Sequence, residues 1–297
     1  MRLGFIWQGY TERKAHWDDG LRAAMRILET QHEVTYLEPW DDLDGYDVLL
    51  YWEAPCTTLG PNAYHYNRIM HHGGRKVLLF AGGPIKKEWV RGFDVLAVES
   101  SINEDECREL GIPYARAFGV NTEVFRPLRS PADYVTVTHG TCASWKRQWL
   151  VCEAMGQEAL VFGAFQETDP KPFRDCEACR AKVIREVPYE EVNRLINLAE
   201  VSVNCADFWG GGQRATLEAM ACNLPTVVMA DSPKNREFIE ESGIGLIAAP
   251  EPEAIRNAVA QARQLPIALR QKARDYVLSR WTPQHYAESL NRIIRDL

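Results

Sequence analysis

The chain has 297 residues, enough for two domains of ordinary size, and its 46% hydrophobic and 25% charged content is that of a globular protein. The net charge is −7, with 14 Lys and Arg against 19 Asp and Glu in residues 1–127, and so 20 against 22 in the remainder. Neither half has the basic excess of a protein held on nucleic acid by phosphate neutralisation, which makes a DNA or RNA partner an unfavoured reading.

The N-terminal "MRLGFIWQGY" turns polar too soon for a secretory leader, and no run approaches the roughly 18 apolar residues that span a bilayer. Eight scattered cysteines are expected as reduced thiols of a cytoplasmic protein. Cys176 and Cys179 have zinc-ligand spacing, but no second pair accompanies them, so an inert helical pair and no metal are expected.

Along the chain, strand-length apolar runs alternate with amphipathic helix-length segments. "LGFIW" precedes "HWDDGLRAAMRILE" and "HEVTYLEP"; "YDVLLYWE" and "RKVLLFAGG" flank a His- and Tyr-rich segment. His71 and His72 fall at the end of that segment, as helix C-terminal dipole partners. "FDVLAVES" leads into "NEDECRELGI", with Asn103 as the expected N-cap. Continuous apolar strands between helices predict a doubly wound α/β domain with parallel strands.

The pattern breaks at "FGVNTEVFRPLRSPAD", read as a linker near residues 125–133, and then restarts. "YVTVTHG", a helix from about Lys146, "ALVFGAF", "AKVIREV", "YEEVNRLINLA", "VSVNCA", "PTVVMA", "PKNREFIEES" and "GLIAA" make a second α/β set. Three helical segments close the chain. Two such domains are expected to face a cleft, with ligands at the carboxyl ends of the strands.

The stretch "GGGQRATLEAMACNLPTVV", residues 210–228, holds the densest chemistry. It follows a strand and enters a helix, so Gly211, Gly212 and the helix-end amides suit a phosphate, with Arg214 adding charge. Glu218 stands a turn further on, able to accept hydrogen bonds from ribose hydroxyls. A flexible loop followed by an ordinary helical glutamate accounts for the local chemistry equally well. Asn223 takes the left-handed position that ends the helix, and Pro225 stops its continuation. In "DSPKNRE", Lys234 and Arg236 are read as a solvated helix start.

"LEAMACNLPTVV" closely resembles the "EAMACGLPVV" segment of family 4 of the GT-B glycosyltransferases. "FGVNTEVFRPL" is similar to that family's "NGVDTxxFxP", "HGTCASWKRQ" to its "GRLxxxKG" loop, and "VPYEEVNRLINLAEVSVNCAD" to its "VxxxELxxLYxxADVFVxPS". The resemblance implies two Rossmann-like domains. Residues 1–127 form the acceptor side, 128–280 bind the nucleotide sugar, and a helix over 281–297 returns to the first domain. It also implies sugar transfer from a UDP- or GDP-sugar, with retention of configuration and no required cofactor or metal.

Residue by residue, Lys146 matches the loop lysine and Glu218 the second carboxylate of the E-x7-E motif. With Arg214 they form the expected catalytic set. The donor set adds Gly9, Thr141, Gly211, Gly212, Gln213 and Thr216; His139, Asp207, Trp7 and Tyr10 are candidates for the cleft. Three departures stand out. Gly210 occupies the position of the first E-x7-E glutamate, Thr141 replaces the loop arginine, and "LLFAGG" carries no cleft histidine.

The expected activity is front-face transfer to a hydroxyl of a glycan, a lipid-linked molecule or a small molecule, with peripheral membrane association left open. The alternatives are transfer to a modified base in DNA and a lapsed GT-B protein that only binds nucleotide sugar.

Overall fold

In the computed structural model, residues 1–7, 19–38, 40–53, 63–80, 83–164, 170–208 and 213–297 are described. The chain forms two compact units, Met1–Gly119 with Pro283–Leu297, and Val120–Thr282. The sequence reading places the divisions at 127/128 and 280/281.

The first unit runs β1 (Arg2–Ile6), α1 (Gly20–Leu28), β2 (Glu33–Leu37), β3 (Val48–Glu53), α2 (Ala63–Met70) and β4 (Arg75–Phe80). It continues through α3 (Lys87–Val90), β5 (Val95–Val98), α4 (Ser101–Leu110) and β6 (Tyr114–Arg116). All strands are parallel, in the order β2-β1-β3-β4-β5-β6. The apolar runs are continuous because both faces are covered. Leu3, Phe5, Leu50, Val77 and Leu79 enter one core cluster, and Ile6, Leu49, Leu78 and Phe80 enter the other. That split is the two-residue period of a strand buried on both sides.

Helix α1 starts where the Asp19 carboxylate accepts the Arg22 amide at 2.8 Å. Its Leu21, Ala24, Met25 and Leu28 form one apolar stripe. The last helix of the chain, Pro283–Asp296, packs Tyr286, Ala287, Leu290, Ile293 and Ile294 into the same cluster. Asn291 adds hydrogen bonds to Gln31 and His32 at 2.8 and 2.9 Å. The C-terminal helix therefore belongs to the first unit.

Two expectations need correction in this unit. Helix α4 is capped by Ser100, whose hydroxyl accepts the Asn103 amide at 3.3 Å, and Asn103 is already inside the helix. Trp7, a candidate for the cleft, is 3% exposed and lies in the core, edge-on to Phe5 and 4.7 Å from the Trp52 ring. A Trp at a strand end is buried here because the strand's alternation continues through it. At the end of α2, the His71 amide and ring Nδ1 both approach the Asn67 carbonyl, the contact expected of a C-terminal histidine.

The second unit runs β7 (Tyr134–His139), α5 (Trp149–Met155), β8 (Ala159–Gly163), α6 (Lys171–Ala178), β9 (Lys182–Arg185) and α7 (Tyr189–Ile196). Then follow β10 (Ala199–Asn204), α8 (Gln213–Ala221), β11 (Thr226–Met229), α9 (Pro233–Ser242), β12 (Leu246–Ala248), α10 (Pro252–Arg263) and α11 (Ile267–Arg280). The C-terminal helix of the first unit is thus α12. The parallel order is β12-β11-β10-β7-β8-β9. The chain builds outward from β7 through β8 and β9, then restarts at β10 on its other side.

The segment read as a linker is fastened down. Asn193 of α7 and Asn197, the residue that caps its C-terminus, accept the amides of Arg126 and Leu128 at 3.1 and 2.8 Å, and Phe125 is fully buried. Its two prolines prevent a helix, and side-chain amides meet the backbone needs that a helix would have met. The helix expected from Lys146 is also displaced. Ser144–Lys146 is a single 3-10 turn, Arg147 turns left-handed at φ 48°, and α5 begins at Trp149. Asn223 ends α8 at φ 62°, the conformation expected of it. Cys176 is buried with Cys152 and Val161, and Cys179 packs against them. Among the described residues no His, Cys, Asp and Glu cluster of three is arranged to hold a metal ion.

Candidate functional site

In an open parallel sheet, loops leaving two adjacent strands in opposite directions create a crevice at their carboxyl ends. In the second unit β7 and β10 are those strands. The loop after β7 carries Thr141 and Lys146, and α8 after β10 carries Arg214, Thr216 and Glu218.

His139 is the last residue of β7. Its ring stacks on Phe162 of β8, with centroids 5.5 Å apart and planes 18° from parallel. Directly after it, Gly140 takes φ +110° and turns the chain away from the sheet. The ring's Nε2 lies 2.9 Å from Oε2 of Glu218, and both side chains are buried. Residues 79 positions apart are thereby paired at the switch point. The His139 Nδ1 and the Gln213 Nε2 are buried and meet no hydrogen-bond partner among the described residues.

The Lys146 turn is held in place by its neighbour. Arg147 donates from Nε to the Cys205 carbonyl at 2.9 Å and from Nη2 to the Ala206 carbonyl at 3.3 Å. It also pairs twice with Asp231 after β11, at 2.7 and 2.8 Å. One guanidinium therefore ties together the loops that follow β7, β10 and β11. The Asp207 amide donates to the Trp145 carbonyl at 2.9 Å, adding a backbone tie between the first two loops. Hydrogen bonding to Arg147 holds the Asp231 carboxyl below its usual range.

Arg147→Met is expected to destabilise the protein by about 1.5–3 kcal/mol at pH 7, the range for hydrogen bonds to a charged group. Asp231 is partly exposed, which places the effect in the lower part of that range. Because the folded pKa of Asp231 is depressed, the ion-pair share is present above about pH 4. It is lost as pH falls through the folded value. Urea melts of wild type and variant should differ most at neutral pH and converge partly in acid.

The face of α8 opposite Glu218 is structural. Thr216 is fully buried, donates to Asn235 at 2.8 Å and accepts from Asn204 at 2.9 Å. Asn235 in turn donates to Ser232 at 2.8 Å. Thr216 therefore anchors α8 to β10 and α9, and its hydroxyl is committed on both sides. Lys234, expected as a solvated residue, is 2% exposed, whereas Arg236 is half-buried and pairs with Glu240. Cys205 directly follows β10, and burial pushes its thiol up to about 12, which removes it as a thiolate nucleophile at neutral pH.

Of the residues expected at the site, the structure joins His139 to Glu218 and binds the Asp207 loop to the Lys146 turn. Thr141 contributes its carbonyl to Gln148 at 3.1 Å, and Arg214 is half-buried on α8. Gly9, Tyr10, Gly210, Gly211 and Gly212 lie outside the described residues. Arg147 was missed, since a basic residue in a lysine- and arginine-containing loop gives no local sign of its distant partners.

Residues 178–279 match the family of glycosyl transferases group 1. That span, about a third of the chain, is what is similar to the group 1 glycosyl transferases. The matched span runs from the end of α6 almost to the end of α11, and so includes Arg214 and Glu218. No curated protein matches the chain. Among solved structures, sucrose-phosphate synthase from Thermosynechococcus elongatus is 14% identical with a TM-score of 0.76, covering 100% of this chain and 98% of that one. A glycosyltransferase from Rickettsia africae is 12% identical with a TM-score of 0.73, covering 99% and 98%. Anabaena HepE, solved with UDP and glucose, is 13% identical with a TM-score of 0.73 and full coverage of both chains. The fold of the chain is thus the two-domain GT-B fold of these structures.

Proposed function

We propose that the chain is a retaining glycosyltransferase of the family 4 type, transferring a sugar from a nucleotide-diphosphate sugar to an acceptor hydroxyl without a metal. The observation that carries this reading is the buried His139–Glu218 pair at the switch point of the second unit, with Glu218 inside the span that matches the group 1 family. A carboxylate held at that position accepts the two ribose hydroxyls of a nucleotide. The Lys146 turn, anchored through Arg147, and Arg214 on the first turn of α8 supply positive charge to the diphosphate as it departs.

UDP is the favoured nucleotide, supported by the complexes of Anabaena HepE with UDP and with UDP-glucose. The reaction proceeds at the front face. The acceptor hydroxyl attacks the anomeric carbon while the bond to the diphosphate oxygen breaks, and the acceptor proton passes to that leaving phosphate. Net retention follows from attack and departure on one face. The free, buried thiols suit a cytoplasmic protein.

The test is a thermal-shift panel of UDP, GDP and their common sugars, followed by product analysis with any donor that stabilises the protein. Stabilisation by a uridine or guanosine diphosphate sugar, turnover unchanged by a chelator, and a product of retained anomeric configuration are expected. Binding without hydrolysis or transfer would favour a lapsed enzyme, a reading motivated by Gly210 at the position of the first motif glutamate. Inverted product would overturn the proposed stereochemistry.

A further inference from the structure

We infer that His139 is a positioning residue for the donor site: its Nε2–H holds one oxygen of Glu218 so that the other is presented to the ribose diol. This inference rests on the donor-site reading above and extends it to a residue on a different strand.

The geometry argues for a fixed rather than an incidental contact. A carboxylate as buried as Glu218 needs a hydrogen-bond partner to remain charged, and its Oε2 takes one from His139 at 2.9 Å. Its Oε1 takes none from any described residue. With a carboxylate as acceptor, Nε2 is the donor of this hydrogen bond.

The ring itself has little freedom. Phe162 stacks against one face, β7 fixes the backbone before it, and the Gly140 amide is bonded to the Phe162 carbonyl at 3.1 Å just after it. Helix α8 is likewise immobilised through Thr216, Asn204 and Asn235. Two rigid elements therefore meet at a single hydrogen bond. That bond selects the carboxylate's orientation, and an oxygen already oriented accepts a hydroxyl with less loss of side-chain freedom.

The consequence is selectivity for the ribose diol rather than for the base or phosphates. Titration calorimetry with UDP and with 2′,3′-dideoxy-UDP measures it directly. The wild type should prefer UDP by about 10- to 100-fold, as expected for hydrogen bonds to a charged acceptor. Glu218→Ala should abolish the preference. His139→Phe keeps the stack on Phe162 but removes the donor, and should reduce the preference to less than about threefold. His139→Gln, which can place an amide N–H near the Nε2 position, should retain most of it; His139→Asn, whose amide is one carbon shorter, should not.

If His139→Phe fails to fold, the Gln and Asn variants decide the matter, because a merely structural role would not separate them by diol preference. Full preference in a folded His139→Phe or in His139→Asn would overturn the inference alone. A wild type indifferent to the diol, or a Glu218→Ala variant that keeps the preference, would overturn the donor-site reading and the inference with it.

Discussion

Lys146→Ala is expected to lower kcat for sugar transfer by about 10²- to 10³-fold, the cost of removing one fixed donor at a developing anion. The leaving diphosphate gains negative charge as the glycosidic bond breaks, so a cation near it is worth more in the transition state than in the bound donor. Affinity for UDP should therefore fall less than kcat does. The position of the turn supports the assignment. Lys146 ends the Ser144–Lys146 turn, with its own amide bonded to the Ala143 carbonyl at 2.9 Å, and the next residue, Arg147, anchors that turn to Cys205, Ala206 and Asp231. Steady-state kinetics with the donor identified by thermal shift would check it. A variant with wild-type kcat would remove Lys146 from the catalytic set, whatever its effect on binding.

Gly163→Ala is expected to cost more than about 4 kcal/mol of stability, enough to unfold many domains. Gly163 closes β8 at φ +152°, and a Cβ built there would stand 1.8 Å from the Gly140 carbonyl oxygen and 2.5 Å from its carbon. Those are backbone atoms. They move only if the β7–β8 pairing moves, including the His139↔Phe162 register and the bond from the Gly140 amide to Phe162. Gly140 directly follows the histidine of the proposed site, so any surviving fold should also show reduced nucleotide binding. Urea unfolding of wild type and variant, followed by fluorescence, measures the loss. A destabilisation below about 1 kcal/mol would show that the two glycines are less closely set than the structure has them.

Much of the architecture was written in local pattern. Unbroken apolar runs such as "KVLLF" and "ALVFG" announced strands covered on both faces, and the sheets divide their alternating residues between two cores. The "CNLP" ending of α8 announced a left-handed Asn223, which has φ 62°. The motif spacing also singled out Glu218, which the structure pairs with His139. Local pattern misled where two residues of similar chemistry competed. Ser100 and Asn103 both suit an N-cap, and only the path of the chain entering α4 selects Ser100. By sequence Trp7 is a cleft candidate and Lys234 part of a solvated helix start, and packing buries both.

The sequence by itself determined the succession of strands and helices, the restart after the first α/β set, and the left-handed end of α8. Each depends on the periodicity or backbone preference of neighbouring residues, and such preferences act within a turn or two of chain. Only the tertiary structure decided which side chains act on one another. Glu218 meets His139 across 79 positions, and Arg147 reaches Cys205 and Asp231 across 58 and 84. Those distances close only after β10 returns beside β7 and brings the loops at their carboxyl ends together. A contact made by sheet order leaves no mark in the spacing of the residues that make it.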